Sequence, residues 1–229
     1  MANYNFSKIA EGYNVVKQRI EMHIHISVTN SKLGNIPSFN LLPGFTCSPE
    51  SCKHCLREGC YAVKNLFRCG YNVDKNSTFS AWAENTVLAK TDLPRLEEEL
   101  AKYLESVKFT IKLFRVHSSG DMFSVEYAMM WYRLAKQFPG IRFLAFTKQW
   151  DVIREVPFFE LGNFSVVLSG WTGIAIPEDL REKYACAWCD DGQETRIPEN
   201  AMQCPGSCES CGMCWYLKEL NRDTKFTKH

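Results

Sequence analysis

Hydrophobic and polar positions along the chain recur with two different periods, and the periods predict strands and helices in turn. Residues 21–29 (EMHIHISVT) alternate strictly, which predicts a strand with His23 and His25 on its polar face. We interpret these two histidines as part of a solvated face rather than as metal ligands. From residue 93 the apolar spacing lengthens, so that Leu93, Leu96 and Leu100 predict the buried stripe of a helix.

The middle of the chain predicts strands and helices in alternation. Strands are expected at 109–116, 141–147 and 164–169, and helices at 125–138, 150–156 and from 177 onward. This order is typical of parallel β/α units, which place their chemistry at the carboxyl ends of the strands. The loops selected by that rule contain Cys47, residues 117–121, residues 147–149 and residues 169–172.

Two further regions complete the predicted fold. A short buried strand is expected at 38–42 and helices at 60–71 and 79–90, and Thr91 or Asp92 is expected to cap the helix that follows. Beyond Ala185 the apolar periodicity stops, and residues 190–203 show none. We therefore predict an α/β domain over residues 1–185 and a cysteine-rich extension over residues 186–229 that its ligands hold in shape.

Composition narrows the class of protein only slightly. The 229 residues are 45% hydrophobic and 23% charged, and the formal net charge is +1, so bulk charge supports neither nucleic-acid nor membrane binding. The first residues lack the apolar core of a signal peptide, and no apolar run approaches the ~18 residues of a membrane span. These features predict a cytoplasmic protein.

Eleven cysteines carry the strongest chemical signal. In an intracellular chain, clustered cysteines indicate metal binding rather than disulfides. The first group, Cys47, Cys52, Cys55 and Cys60, has the spacing C-x4-C-x2-C-x4-C after a predicted strand and before a predicted helix. This uneven spacing favours an iron–sulfur cluster over a pair of zinc knuckles.

A second cysteine group closes the chain. Cys186 and Cys189 form a C-x2-C pair, and the spacing C-x3-C-x2-C-x2-C follows at Cys204, Cys208, Cys211 and Cys214. The longer run is close to ferredoxin spacing and predicts a second [4Fe-4S] cluster, with zinc as the alternative for this group. The isolated Cys69 is expected to be a buried packing residue.

The loop at 117–121 (HSSGD) is the other candidate site. His117 ends a predicted strand, and Asp121 can cap the following helix. The amides of Ser118, Ser119 and Gly120 are expected to be exposed near that helix, where a carboxylate or phosphate could bind. Lys148 and Trp171 are candidates by strand-end position alone.

Several stretches, taken together, resemble a known family. FNLLPGFTC, a cysteine group ending in CYAVK, FRVHSSGDMFS and RFLAFTK occur in this order between residues 39 and 148. They resemble the phage-encoded gene product 88 family, which in turn resembles divergent members of the radical S-adenosylmethionine (SAM) superfamily. The resemblance implies a partial (β/α) barrel, because 229 residues are few for a full barrel of about 250 residues.

The resemblance also implies a cofactor set. By position, Cys47, Cys60 and either Cys52 or Cys55 would hold a [4Fe-4S] cluster with one open iron, to which SAM binds. Ser119, Gly120 and Asp121 would stand where the superfamily's glycine-rich segment binds the SAM amino group, with His117 and Lys148 nearby. The sequence departs from the superfamily in its fourth cysteine, which could close the cluster, and in carrying the usual C-x3-C-x2-C only near the C-terminus.

Three functions follow as expectations. The first is a radical-SAM-like enzyme of unidentified substrate, acting in the cytoplasm of a phage-infected bacterium with an electron donor such as a flavodoxin or ferredoxin. The second is a non-catalytic binding module stabilised by iron–sulfur clusters or zinc. The third is an electron-transfer protein that works without SAM.

Overall fold

The computed structural model describes residues 6–49 and 60–227 as a mixed α/β fold around one sheet. In the described chain the sheet has eight strands in the order β1-β2-β3-β4-β5-β6-β8-β7. Only β1 and β2 pair antiparallel, and every other neighbouring pair is parallel. The strands are β1 (Ile26–Ser27), β2 (Ser38–Phe39), β3 (Leu113–Val116), β4 (Arg142–Thr147), β5 (Phe164–Gly170), β6 (Ala185–Asp190), β7 (Met202–Gln203) and β8 (Thr224–Thr227).

Helices connect most of the parallel strands. They are α1 (Phe6–Lys17), α2 (Tyr61–Leu66), α3 (Ser77–Thr91), α4 (Leu93–Val107), α5 (Val125–Gln137), α6 (Trp150–Glu155), α7 (Glu178–Arg181), α8 (Cys208–Cys211) and α9 (Leu217–Leu220). Short 3-10 turns lie at Phe158–Glu160 and Met213–Tyr216. None of the helices in the described ranges is long and apolar enough to cross a bilayer.

The two faces of the sheet are covered differently. On one face, Phe114, Phe143 and Val166 pack against the buried sides of α4 and α5, forming the main core. The alternate residues of the same strands, including Leu144 and Val167, point to the other face. There they meet the loop before β2 and the C-terminal segment rather than long helices. We call this second side the tail face.

The predicted β/α alternation is confirmed from β3 to β5, where the helix and strand bounds differ from the prediction by a few residues. The strand predicted at 21–29 is much shorter, because helix side chains take its backbone amides. The amide of His23 donates to Glu84 at 3.3 Å, and that of His25 donates to Asn85 at 2.8 Å. These bonds replace a neighbouring strand. The Asp92 cap is confirmed by its bond from the amide of Arg95.

The sheet continues into the cysteine-rich segment. Strands β6 and β8 pair in parallel, and β6 pairs with β5, so the predicted division at residue 185 falls at the start of a strand of the same sheet. The sequence pattern missed β6 because ACAWCD is short and buried at Cys186 through Cys189, which leaves no alternation to recognise. It missed the four-residue β8 for lack of length.

Candidate functional site: two cysteine groups and a buried arginine

The first cysteine group lies in the predicted arrangement of strand, loop and helix. Cys47 follows β2 and Cys60 directly precedes α2, and both are partly buried. Cys52 and Cys55 lie outside the described residues. The neighbouring parallel strand β3 ends in the loop 117–121, and the hydroxyl of Tyr61 donates to the carbonyl of Ser118. The cysteine loop and the candidate cofactor loop are therefore adjacent.

The loop at 117–121 is packed more tightly than the sequence suggests. The amides of Ser118 and Ser119 donate to the same oxygen, Oδ1 of Asn40, at 2.7 and 3.2 Å. These two amides are therefore not exposed donors for an anion, which corrects the expectation. Gly120 has φ of +90°, and an added Cβ would lie 2.6 Å from Cβ of Leu41. Only glycine fits this close approach.

Asp121 joins two strand ends. Its carboxylate accepts hydrogen bonds from the amide of Met122 at 2.8 Å and from the amide of Lys148 at 3.0 Å. Burial raises the pKa of this carboxyl group, and hydrogen bonds from Thr147 and Lys148 oppose the rise. The side chain therefore fixes the β3 loop against the end of β4 instead of capping α5, whose cap is Ser124.

His117 is buried in an unusual backbone conformation. Its φ is +64°, a region that non-glycine residues rarely adopt. The ring stacks on Tyr127, and Nε2 lies 2.8 Å from the Tyr127 hydroxyl, while Nδ1 is buried with no hydrogen-bond partner in the described chain. Burial, and secondarily the charge of Arg115, lower the pKa of His117 to about 3. The imidazole is therefore neutral at physiological pH.

Lys148 and Trp171 are neighbours at the ends of β4 and β5. The Lys148 ammonium lies 5.2 Å from the centroid of the Trp171 ring, within the range of a cation–π contact. Gln149, next along the chain, donates from Nε2 to the carbonyl of Thr46 at 3.1 Å. The strand-end residues chosen by position thus surround the approach to Cys47.

The C-terminal cysteines Cys204, Cys208, Cys211 and Cys214 surround one cavity of about 180 Å³. Burial raises the pKa of the Cys214 thiol to about 12, and the charge of Arg115 acts in the opposite direction. The other three thiols raise it further, so the four sulfur atoms lie close enough to interact electrostatically. The structure brings together this part of the predicted ligand set.

The donor set suits a cluster better than a single ion. In residues 6–49 and 60–227, no group of three or more His, Cys, Asp or Glu side chains is arranged to hold one metal ion. A single zinc ion would need its sulfur ligands about 2.3 Å from one point. The four thiols are instead spread around a space several times the roughly 30 Å³ that one water occupies in the liquid. An inorganic core with several metal atoms fits such a space.

The tail is anchored to the sheet on both sides of this cavity. The amide of Cys208 donates to the carbonyl of Lys32 at 2.7 Å. Ser165 on β5 donates to the carbonyl of Cys214 at 2.9 Å. Trp215 is buried and donates from Nε1 to the carbonyl of Phe114 at 3.1 Å. The thiols are therefore presented by a segment that packs against the tail face.

Arg115 is the functional candidate that sequence reasoning missed. It lies on β3 facing the tail, and its electrostatic neighbours are Tyr61 on one side and Cys208 and Cys214 on the other. It thus lies between the two cysteine groups. The available signal was a single arginine in the otherwise apolar end of the strand FTIKLFRV, a position where a charge is costly without a partner.

Three other cysteines differ from their predicted places. Cys186 and Cys189 lie on β6 with opposite parity, so their side chains leave opposite faces of the sheet and cannot meet at one centre. Cys186 joins the helix-side core, where burial raises the pKa of its thiol to about 12. Cys69 is exposed, not buried as expected.

Comparison with known proteins places the chain among phage proteins. The family model for gene product 88 matches residues 16–217. The gene 88 protein of Mycobacterium phage D29 is 26% identical over 162 residues, which cover 66% of this chain and 64% of that protein. The match thus spans slightly less than two thirds of the relative's length. No solved structure gives a significant match.

Proposed function

This chain belongs to the gene product 88 family of phage proteins, and we propose that it is an iron–sulfur protein with radical-SAM-like organisation. The observation that carries the proposal is the convergence of Cys204, Cys208, Cys211 and Cys214 on one cavity. These four residues would hold a [4Fe-4S] cluster. Cys186 and Cys189 are left out of the ligand set because they leave opposite faces of β6.

A second cluster is proposed for the N-terminal loop. Cys47 and Cys60 follow the first parallel strand and precede a helix, the order that the superfamily uses for its cluster loop. Cys52 and Cys55 would supply the remaining ligands. If one iron is left open there, the loop 117–121 on the next strand is the neighbour that SAM would meet.

A partial barrel is the proposed form of the sheet. Trp215 bonds to β3 and lines the same cavity as Met202 of β7. In the strand order, β7 is five positions from β3. In a flat sheet this would put about 24 Å between the two strands, at roughly 4.8 Å a strand. A sheet that curves toward the tail face reduces that distance and accounts for the shared contact.

The loop residues have distinct proposed tasks if SAM binds. When bound, a reduced cluster with an open iron supplies the electron that cleaves SAM. Asp121 and Gly120 fix the loop geometry, and the neutral His117 keeps a second positive charge away from Arg115. Lys148 is the proposed contact for an anionic group such as a carboxylate, because its ammonium lies at the edge of the site over Trp171.

Anaerobic purification and reconstitution test the proposal directly. We expect a brown protein that contains iron and acid-labile sulfide and is reduced by a low-potential donor, with ferredoxin or flavodoxin as the proposed physiological partner in the host cytoplasm. Deoxyadenosine release from SAM on reduction would support the enzyme. A reducible cluster with neither SAM cleavage nor a spectral change on SAM addition would favour electron transfer instead.

A structural zinc module is the second candidate, favoured by one observation. The tail is bound to the body of the protein by the buried Trp215 and by the Glu209 carboxylate, which accepts from Asn35 at 2.8 Å. Such a tail could serve as a binding surface without redox chemistry. Metal analysis that finds zinc without sulfide would select this candidate.

A further inference from the structure

Arg115 has no carboxylate partner in the described chain, although it is partly buried in the tail face. Its Nε donates to the carbonyl of His117 at 2.9 Å, and its guanidinium lies 4.1 Å from the centroid of the Phe146 ring. Neither contact neutralises its charge. A guanidinium stays protonated in proteins, and a buried charge is costly unless an opposite charge compensates for it.

The direction of Arg115 identifies the missing partner. Phe114 and Val116 point into the helix-side core, so the alternation of β3 sends Leu113 and Arg115 to the tail face. Leu113 packs in the same apolar cluster as Cys208 and Cys214. The charge of Arg115 in turn opposes the burial-induced rise in the pKa of both thiols.

We propose that Arg115 compensates the negative charge of the metal–thiolate centre held by the four C-terminal cysteines, and thereby sets its stability and reduction potential. This inference rests on the proposed function. Four thiolates carry more negative charge than a [4Fe-4S] core or a zinc ion carries positive charge, so the loaded centre is anionic. Reduction by one electron from an external donor makes a cluster more negative still. A fixed buried cation therefore favours the reduced state.

The test compares three variants of the full chain. Arg115→Gln removes the charge and keeps a donor for the His117 carbonyl, whereas Arg115→Lys keeps the charge. Arg142→Gln is the matched control, because Arg142 also contacts the tail but stacks on Tyr216 at 4.2 Å and pairs with the exposed Glu219. Each protein is reconstituted anaerobically with iron and sulfide. Metal retention against a chelator and the midpoint potential of the C-terminal cluster, followed by electron paramagnetic resonance, are then measured.

We expect Arg115→Gln to lose metal faster and to shift the midpoint to a lower potential, with Arg115→Lys close to the wild type and Arg142→Gln unchanged. A merely structural role would lower thermal stability without moving the potential. If the centre forms and the potentials of Arg115→Gln and Arg142→Gln agree, the inference is wrong and the proposed function stands. If the wild type binds no metal through these cysteines, both are wrong.

Discussion

The carboxylate of Asp121 accepts a hydrogen bond from the backbone amide of Lys148 at 3.0 Å, and so joins the loop after β3 to the end of β4. The same side chain accepts from the amide of Met122 at 2.8 Å. Both amides belong to the strand-end layer that surrounds the first cysteine loop. The geometry of that layer therefore depends on one buried carboxylate.

Replacing Asp121 by alanine should destabilise the protein by at least about 2 kcal/mol, because two backbone amides lose their acceptor in a buried site. Asp121→Asn keeps one acceptor oxygen and should lose less. Urea unfolding followed by tryptophan fluorescence measures both free energies of unfolding. An alanine variant as stable as the wild type would show that this carboxylate does not hold the two strand ends together.

Gly120 should tolerate no side chain. Gly120→Ala combines a φ of +90° with a Cβ placed 2.6 Å from Leu41 and 2.8 Å from Oγ1 of Thr46. We expect a loss of about 1–3 kcal/mol in the free energy of unfolding. Gly140→Ala is the control, since a Cβ there meets no atom within 4 Å. Equal thermal melting of the two variants would contradict this account of the loop.

His117 should make stability depend on acidity. Its folded-state pKa is about 3, whereas an unfolded histidine titrates near 6.5. Between these values the unfolded chain binds a proton that the folded chain does not, so stability is lost as the pH falls below about 6.5. His117→Gln removes this contribution.

The difference between wild type and His117→Gln in free energy of unfolding is therefore expected to change by up to about 3 kcal/mol between about pH 6.5 and pH 4. Denaturant titrations at several pH values measure it. Parallel stability profiles for the two proteins would mean that His117 is protonated in the folded state.

Trp215 should control the tail rather than the main core. Trp215→Ala removes a fully buried side chain from the tail face and should cost about 3–5 kcal/mol. Trp215→Phe keeps most of the packing and loses the bond to the Phe114 carbonyl. Limited proteolysis should cut the alanine variant after residue 203 while leaving the body of the protein intact. Cleavage that starts in the β3–β5 region instead would contradict this assignment.

Sequence reasoning succeeded where the pattern was long and failed where structure was short or shared between distant segments. The helix stripe beginning at Leu93 and strand β4 could be predicted because each repeats its period over several residues. Strand β8 has four residues and gains its place from pairing with β6, which no local pattern encodes. Likewise, the role of Asn40 depends on residues 118 and 119, which are nearly eighty positions away.

The candidate site divides in the same way. Spacing alone grouped Cys204, Cys208, Cys211 and Cys214, and the structure brings them to one cavity. Spacing also grouped Cys186 with Cys189, but strand geometry separates that pair. A C-x2-C spacing brings two thiols together in a turn or helix and sends them apart in an extended strand. Arg115 was missed because its importance lies in what the tail places against it.

Iron and acid-labile sulfide per chain, measured on anaerobically reconstituted wild type, Cys208→Ser and Cys69→Ser, test the central claim most directly. Cys208 lines the thiol cavity, whereas Cys69 is exposed and outside both groups. We predict iron and sulfide in wild type and Cys69→Ser in equal amounts, and a clear loss of both in Cys208→Ser. Wild-type protein that folds normally but contains neither iron nor sulfide, or a Cys208→Ser variant that retains the full amount, would contradict the account.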